Sequence, residues 1–588
     1  MKPEPRRRTR DRVDPITFEI VHAALLSAAE EMGGVLKRST YSPIIRDMED
    51  FSCAIFAADG DLVAQADYIP AQLGAMSLVV KSIIERWGDE ITDGDVYLSN
   101  HPFLGAMHTP DINIIAPIFV GGRLFAWSGT TAHHLDVGGV NPGTEGPGLE
   151  QVYAEGLVLA PVRLYRAGEE NPDVISILTE NIRDPLSTIS DIRAQRASCL
   201  LGRTRLEEAI DRWGASTVTT VFGQALDMVE RAVRSALAEL PDGAGEAEGF
   251  MDDDGRGGPP TRIHVRMDKR GDRLTIDLSG SAPQVAGALN VPWASTRAGL
   301  VYAVRLLLDP NLSSNEGLLR PVEVICPMGN VLNPYPPAAV SVRHNTCQRL
   351  ADVIVRAAAE IWPDKAVGSS SVAFFAINYE SVSPVTGHPS VGSDVVGGGT
   401  GAHRSDDGID GVDTYMSNVG LMPVEVAETN YLVRIERTEL IPGSQGAGTY
   451  QGGMGIRRDY RLLGRPHRAT IYGEQTNPEF RPLGAHGGGD ATPTRIMVFD
   501  PDGNPVPIPT KLSTTLEGGT LVRVETSGGG GYGPPSERDP DLVAADRADG
   551  RTADVSQGPA PPPPTPTRRS GRGSSSTTRP TRRERTPR

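Results

Sequence analysis

Residues 130–139 read TTAHHLDVGG and follow the apolar run LFAWSG. His133, His134 and Asp136 thus crowd the end of a stretch that otherwise has the composition of a buried strand. Just upstream, NHPFLGAMHTPDINIIAP adds His101, His108 and Asp111. Imidazole nitrogen combined with carboxylate oxygen is a ligand set for a divalent transition metal such as zinc, manganese or iron. Imidazole also titrates near neutral pH, so His108 or His134 could move protons there. A strand end that only packs and stops has no use for these groups. The plainer alternative is a polar strand end whose histidines hydrogen-bond to backbone.

The elements around them decide whether they meet. INIIAPIFVGGRLFAWSG predicts a hairpin turned at Gly121–Gly122. Pairing 112–120 with 123–131 brings Asp111 beside the segment 133–136. Strict alternation puts His134 and Asp136 on one face and His133 on the other. If the strand ends earlier, His133 and Asp136 can converge instead. Gly138 and Gly139 would turn the backbone sharply away.

Other constellations are weaker. Asn315, Glu316 and Arg320 in NEGLLRP read as a turn before a strand. VVGGGTGAHRSDDGIDG and TSGGGGYGPP lack the Lys and Ser/Thr of a phosphate loop, and the second reads as a flexible loop. Cys53, Cys199, Cys326 and Cys347 form no CxxC pair, which argues against a disulfide framework or a four-thiolate zinc site. HNTC places His344 near Cys347, a poor match to any nucleophile spacing.

The 588 residues carry a net charge of −16. Residues 1–13 contribute about +4 and residues 551–588 about +7, so the body between them is near −27. An acidic body excludes nucleic acid as main partner, because that binding rests on Lys and Arg against phosphate. No stretch approaches the roughly 20 apolar residues of a membrane span, and no signal-peptide pattern follows the basic start, so a cytoplasmic location is expected.

Helical spacing predicts helices in DPITFEIVHAALLSAAEEMGGVLKRS, started at Asp14 and Pro15, and in GAMSLVVKSIIERWG, stopped by Gly88. An antiparallel helix pair is expected over 187–240, and two further helices in STRAGLVYAVRLLLD and TCQRLADVIVRAAAEIW. Without regular βα alternation the fold class is α+β: a large mixed chain with a helical segment near 187–240 and a strand- and glycine-rich C-terminal half. PDGAGEAEGFMDDDGRGGPP reads as an internal boundary or long loop. The expected organisation is a disordered basic N-terminus (1–13), a metal-site region with the helix pair (14–245), a strand-rich region packed on it (246–550), and a disordered Pro/Arg/Ser-rich tail (551–588).

Taken in order, DPITFEIVHAALLSAAEEMG, DFSCAIFAADGDLVAQ, HTPDI, HHLDVGG, ENIRDP, NVPWAS, NEGLLRP, GAGTYQGGMGIRRDY and TSGGGGYGPPSERDP resemble the hydantoinase B/oxoprolinase family, from about Asp14 to Gly550. The resemblance implies a B-type subunit of an ATP-dependent cyclic amide hydrolase, opening an activated hydantoin or 5-oxoproline ring. ATP would be bound by a hydantoinase A-type partner in a hetero-oligomer. It implies metal-binding positions at Asp111, His133 and Asp136, with Glu155 in YAEGLVLAPVRL as a further ligand. Related alternatives are a ketone carboxylase alpha-type subunit and a non-catalytic assembly subunit. Two departures stand out. Gln72 occupies a place where the family often shows His, and Gln cannot act as a general base at neutral pH. Ser444 and Gln445 replace an acidic-Ser-Gly-Gly run.

Overall fold

A computed structural model of the chain describes residues 12–552 apart from 67 and 73. Nearly all of the two terminal segments expected to be disordered lies outside those residues. Arg551 is inside, and its guanidinium pairs with Asp410 at 2.6 Å.

The site is built on a seven-stranded antiparallel sheet. Its order is Leu62–Ala66, Phe51–Ala57, Arg123–His133, Asp111–Val120, Val96–Ser99, Val162–Arg166 and Glu169–Glu170. The hairpin turns at Gly121 and Gly122, with φ of 57° and 75°. Both values are left-handed, the requirement of the two-residue turn that matches strand twist. Helices Pro15–Ser39 and Pro185–Trp213 cover one face, and Met76–Trp87 covers the other. Strands buried on both faces need apolar side chains at nearly every position, which is why 112–120 reads as a continuous run rather than an alternation.

Local signals set the helix ends. Asp14 accepts the Ile16 and Thr17 amides at 3.1 Å and starts the first helix. Gly88, at φ 46°, ends Met76–Trp87. Gly214 separates Pro185–Trp213 from Ala215–Glu239, the expected helix pair.

Three further sheets follow: Val322–Ile325, Arg273–Asp277, Thr261–Arg270 and Gly243–Met251; then Pro389–Val396, Phe375–Val382, His467–Tyr472 and Lys511–Leu516; then a five-stranded sheet over 433–525. Among the described residues every ladder is antiparallel except Arg273–Asp277 with Val322–Ile325, as an α+β fold requires. The helix Arg343–Ile361 is buried along most of its length and packs on Gly243–Met251 and Thr261–Arg270. The expected loop after Pro241 is therefore a strand in its first half. Its glycines permit close helix packing, since a Cβ on Gly245 would stand 2.5 Å from the Ala357 carbonyl oxygen.

The glycine-rich segments of the C-terminal half are not a flexible loop. The Gly446 amide donates to Gly529, Gly529 to Gly453, Gly453 to Thr400 and Gly531 to Gly489, each at 2.8–2.9 Å. Extended backbones thus pack directly on one another. A Cβ on Gly529 would lie 1.8 Å from the Thr400 carbonyl oxygen.

Candidate active site

Strand register sets the centre. Asp111 and His133 are Cα partners at the open end of the hairpin. The His133 amide donates to the Asp50 carbonyl at 3.0 Å, which ties in the start of Phe51–Ala57. His108 lies on the loop entering the Asp111 strand. Its Nε2 is 3.1 Å from His133 Nδ1 and 3.1 Å from Asp111 Oδ1, and the last two atoms are also 3.1 Å apart. Three potential ligand atoms form an equilateral triangle.

That triangle suits a divalent ion. Ligand bonds to zinc run about 2.0–2.2 Å, and atoms 3.1 Å apart at that radius subtend angles near 95°. Two histidines and one carboxylate on one face of an octahedron are a known arrangement for divalent iron. The proton inventory agrees. His108 Nδ1 is 3.0 Å from the Ser341 carbonyl, which can only accept, so Nδ1 carries the hydrogen and Nε2 presents a lone pair to the triangle.

The electrostatics of the protein alone are polarised. Burial pulls the His133 imidazole down, but its hydrogen bond to Asp111 and the Asp50 charge outweigh that and raise it to about 9. Burial opposes ionisation of Asp111, yet His108, His133 and Arg343 hold it well below the usual carboxylate range. Asp50 is pushed up to about 6, chiefly by burial, against the pull of His133. These concentrated opposing charges on buried groups are what a bound cation would reorganise.

The triangle borders a cavity with about 40 Å³ of free central volume, room for a few waters at about 10–15 Å³ each. Asp50, Gln72, Glu145, Arg343, His344 and Tyr472 line its polar side. Arg343 and His344 come from the first turn of the helix Arg343–Ile361. Arg343 Nη2 donates to Asp111 Oδ2 at 3.1 Å. Glu145 accepts from Asn378 Nδ2 at 3.1 Å and from the Tyr472 hydroxyl. A second group, His108, Glu145 and His344, is looser: Glu145 Oε1 stands 3.6 Å from His108 Nδ1 and 4.0 Å from His344 Nδ1. Since His108 Nδ1 is engaged by Ser341, the tighter triangle is the better metal candidate.

The structure brings His108, Asp111 and His133 together and places the other expected residues elsewhere. The strand ends at His133, so Asp136 does not converge with it. Both Asp136 oxygens are occupied: Oδ1 accepts the Gly138 and Arg183 amides at 2.9 and 3.0 Å, and Oδ2 accepts Arg183 Nη1 at 2.9 Å and the Gly143 amide at 3.2 Å. Asp136 thereby shapes the loop that carries Glu145. Thr144 in that loop has φ 67°, a left-handed conformation that needs such bracing. His134 lies within the structure against Gln195, with Nε2 3.0 Å from Gln195 Oε1, and burial keeps it low. Glu155 Oε1 accepts the Val340 and Ser341 amides at 2.6 and 2.7 Å. It fixes the carbonyl that orients His108 instead of joining the triangle, and burial raises it to about 7.

Sequence reasoning missed Asp50, Glu145 and Arg343, and considered His344 only beside Cys347. Asp50 precedes a strand expected to pair in this sheet, which was an available signal. Glu145 lies on the loop just after His133 and is held by Asn378, 233 positions on, whereas Arg343 and His344 arrive through contacts across about 200 residues or more, which no local pattern shows. Cys347 also lines the cavity, but burial pushes its thiol up to about 11, so it is no nucleophile beside His344.

The chain is α+β, and its buried His/Asp triangle beside a small cavity is a candidate metal site on a large mixed scaffold. Residues 14–535 match the family model described as Hydantoinase B/oxoprolinase, and the chain belongs to that family. It is 33% identical over 558 residues to a putative B-type D-/L-hydantoinase subunit of Pseudomonas sp. (strain NS671), covering 92% of this chain and 93% of that one. The crystal structure of ATP-dependent caprolactamase from Pseudomonas jessenii superposes with a TM-score of 0.86 at 28% identity, over 92% of this chain and 95% of the other. Nucleotide-free acetone carboxylase shares the fold, with a TM-score of 0.82 at 19% identity over 92% and 78% of the two chains.

Proposed function

We propose that this chain is the B-type subunit of an ATP-dependent cyclic amide hydrolase and opens the ring of an activated hydantoin or lactam. The carrying observation is the buried 3.1 Å triangle of His108, Asp111 and His133 at the wall of a small cavity. Family membership and a relative named as a hydantoinase subunit support the reaction class. We assign ATP handling to an A-type partner subunit, since this sequence has no phosphate loop of the Lys-Ser/Thr type.

His108, Asp111 and His133, with Asp50 adjacent, would hold zinc, manganese or iron. The chemistry such an ion would supply when bound is Lewis acidity and a lowered pKa of a neighbouring water. The chain's own residues do the rest. Arg343 and the His108–Ser341 contact fix the donor atoms. His344, kept neutral by burial and by the Arg343 charge, presents an unpartnered Nε2 that can carry a proton.

A ketone carboxylase subunit is the second reading, favoured by the fold shared with acetone carboxylase. The experiment is metal analysis of the chain purified without a His tag, then turnover with an A-type subunit and ATP. The expected result is near-stoichiometric metal and consumption of a hydantoin or lactam without bicarbonate. Consumption of a ketone only with bicarbonate establishes the carboxylase. Absence of bound metal after supply of zinc, manganese and iron overturns both.

A further inference from the structure

A second hollow, a surface groove of about 750 Å³, shares no lining residue with the site cavity. One wall is Pro102–Leu104, on the chain that leads to His108. Another is formed by Asn333, Pro334 and Pro336, on the chain that leads to Ser341 and Arg343. The helix Met76–Trp87 lines a third side. The surface is apolar and aromatic: Leu78, Phe103, Leu104, Trp293, Val324 and Met328. Trp293 is 37% exposed and Met328 51% exposed.

Two polar groups in this apolar setting are uncommitted. Trp87, Trp127 and Trp362 donate their indole N–H to the Pro161, Ala58 and Pro241 carbonyls at 3.1–3.2 Å, whereas the Trp293 N–H finds no acceptor among the described residues. The groove holds two charged side chains, Lys81 and Glu85. Lys81 is paired with Asp61 at 2.8 Å, whereas Glu85 has no partner among the described residues. An aromatic groove with a free donor and a free carboxylate is the complement of a proline-rich segment followed by arginine. Such segments favour the extended polyproline II helix, which leaves its carbonyls open to a donor and docks on aromatic grooves at little ordering cost. Residues 559–569 of this chain read PAPPPPTPTRR, with Pro563, Pro566 and Arg568 in the spacing PxxPxR. They follow the described body, which ends at Thr552. Residues 551–588 carry about +7 against about −27 for the body, so the sign of the charge favours their approach.

We propose that this groove is the docking site of the chain's own segment 559–569, with its prolines packed on Trp293 and Phe103, one of its carbonyls accepting the Trp293 N–H, and Arg568 or Arg569 paired with Glu85. Docking there braces the chain on its approach to His108 and to Ser341.

Photo-cross-linking of the full chain tests this. Benzoylphenylalanine is placed at Thr565, inside the proline run, or at Thr577, beyond it, and the cross-linked peptides are mapped by mass spectrometry. The probe at 565 is expected to attach to Met328 in the groove, at least about fivefold more than the probe at 577. Trp293→Ala should lower the Met328 yield by at least about fivefold, as loss of a tryptophan anchor does. Glu85→Lys should lower it too, and adding Arg568→Glu and Arg569→Glu to Glu85→Lys should restore it. Glu85 is exposed on its helix, so this charge swap carries the test even where Trp293→Ala fails to fold. Attachment outside the groove, equal yields from the two probes, or a yield unmoved by the charge swap overturns the proposal.

Discussion

Replacing Asp136 and Asp111 separately by Asn distinguishes a brace from a ligand. Asp136 is fully buried and accepts four hydrogen bonds, two of them from Arg183. Breaking a buried ion pair on one side costs about 3–5 kcal/mol. The Arg183 side chain keeps 26% of its surface exposed and can rehydrate, so the lower end applies, about 3 kcal/mol. Unfolding entropy near 2.1 cal/mol/K per residue gives about 1.1 kcal/mol/K for a folded body of this size, so that loss lowers Tm by about 3 °C. Asp136→Asn should therefore lower Tm measurably, loosen the Glu145 loop and reduce kcat, yet keep its metal. Asp111→Asn removes the charged member of the triangle. Metal affinity should fall by more than about 100-fold, because positioning groups alone are worth about 10–100-fold. Elemental analysis and thermal scans on both variants check this. Loss of metal from Asp136→Asn with unchanged Tm would refute the assignment and make Asp136 a ligand.

Three further outcomes are expected. Glu155 is raised from 4.5 to about 7, so the folded state binds the extra proton and wild-type stability falls as pH rises from about 4.5 through 7; denaturation across that window should show Glu155→Gln gaining on wild type with pH, and a parallel profile refutes the shift. Gly529→Ala drives a Cβ onto the Thr400 carbonyl oxygen at 1.8 Å and should cost more than about 3 kcal/mol by overpacking, whereas Gly271→Ala meets nothing within 4 Å and should cost only the left-handed penalty of about 1–2 kcal/mol; equal Tm losses would show the glycine packing to be loose. Arg343→Gln leaves Asp111 without its cation partner, and chelator titration should then reveal altered metal affinity with Asp136–Arg183 and overall Tm little changed.

What the sequence made legible follows from distance along the chain. Asp111 and His133 could be paired on paper because one two-glycine turn links their strands, and a hairpin of known turn length has a fixed register. Asp136 was misplaced by the same logic carried three residues too far. Past His133 the ladder stops, and the side chain goes where Arg183 and three amides satisfy it, a choice made by a residue 47 positions away. Glu155 shows the subtler case. It is not in the triangle, but it holds the two amides next to the carbonyl that sets the His108 proton, so it belongs to the site one step removed. A pattern of residue types cannot separate a ligand from the group that orients it, because both must be acidic, buried and close. The glycine-rich segments mislead for a related reason: absent side chains look like freedom in one strand of sequence and become contact only when four such strands meet. In each instance the residue type was informative and the partner was not, so the chemistry could be anticipated while the geometry that selects one carboxylate over its neighbour had to come from the fold.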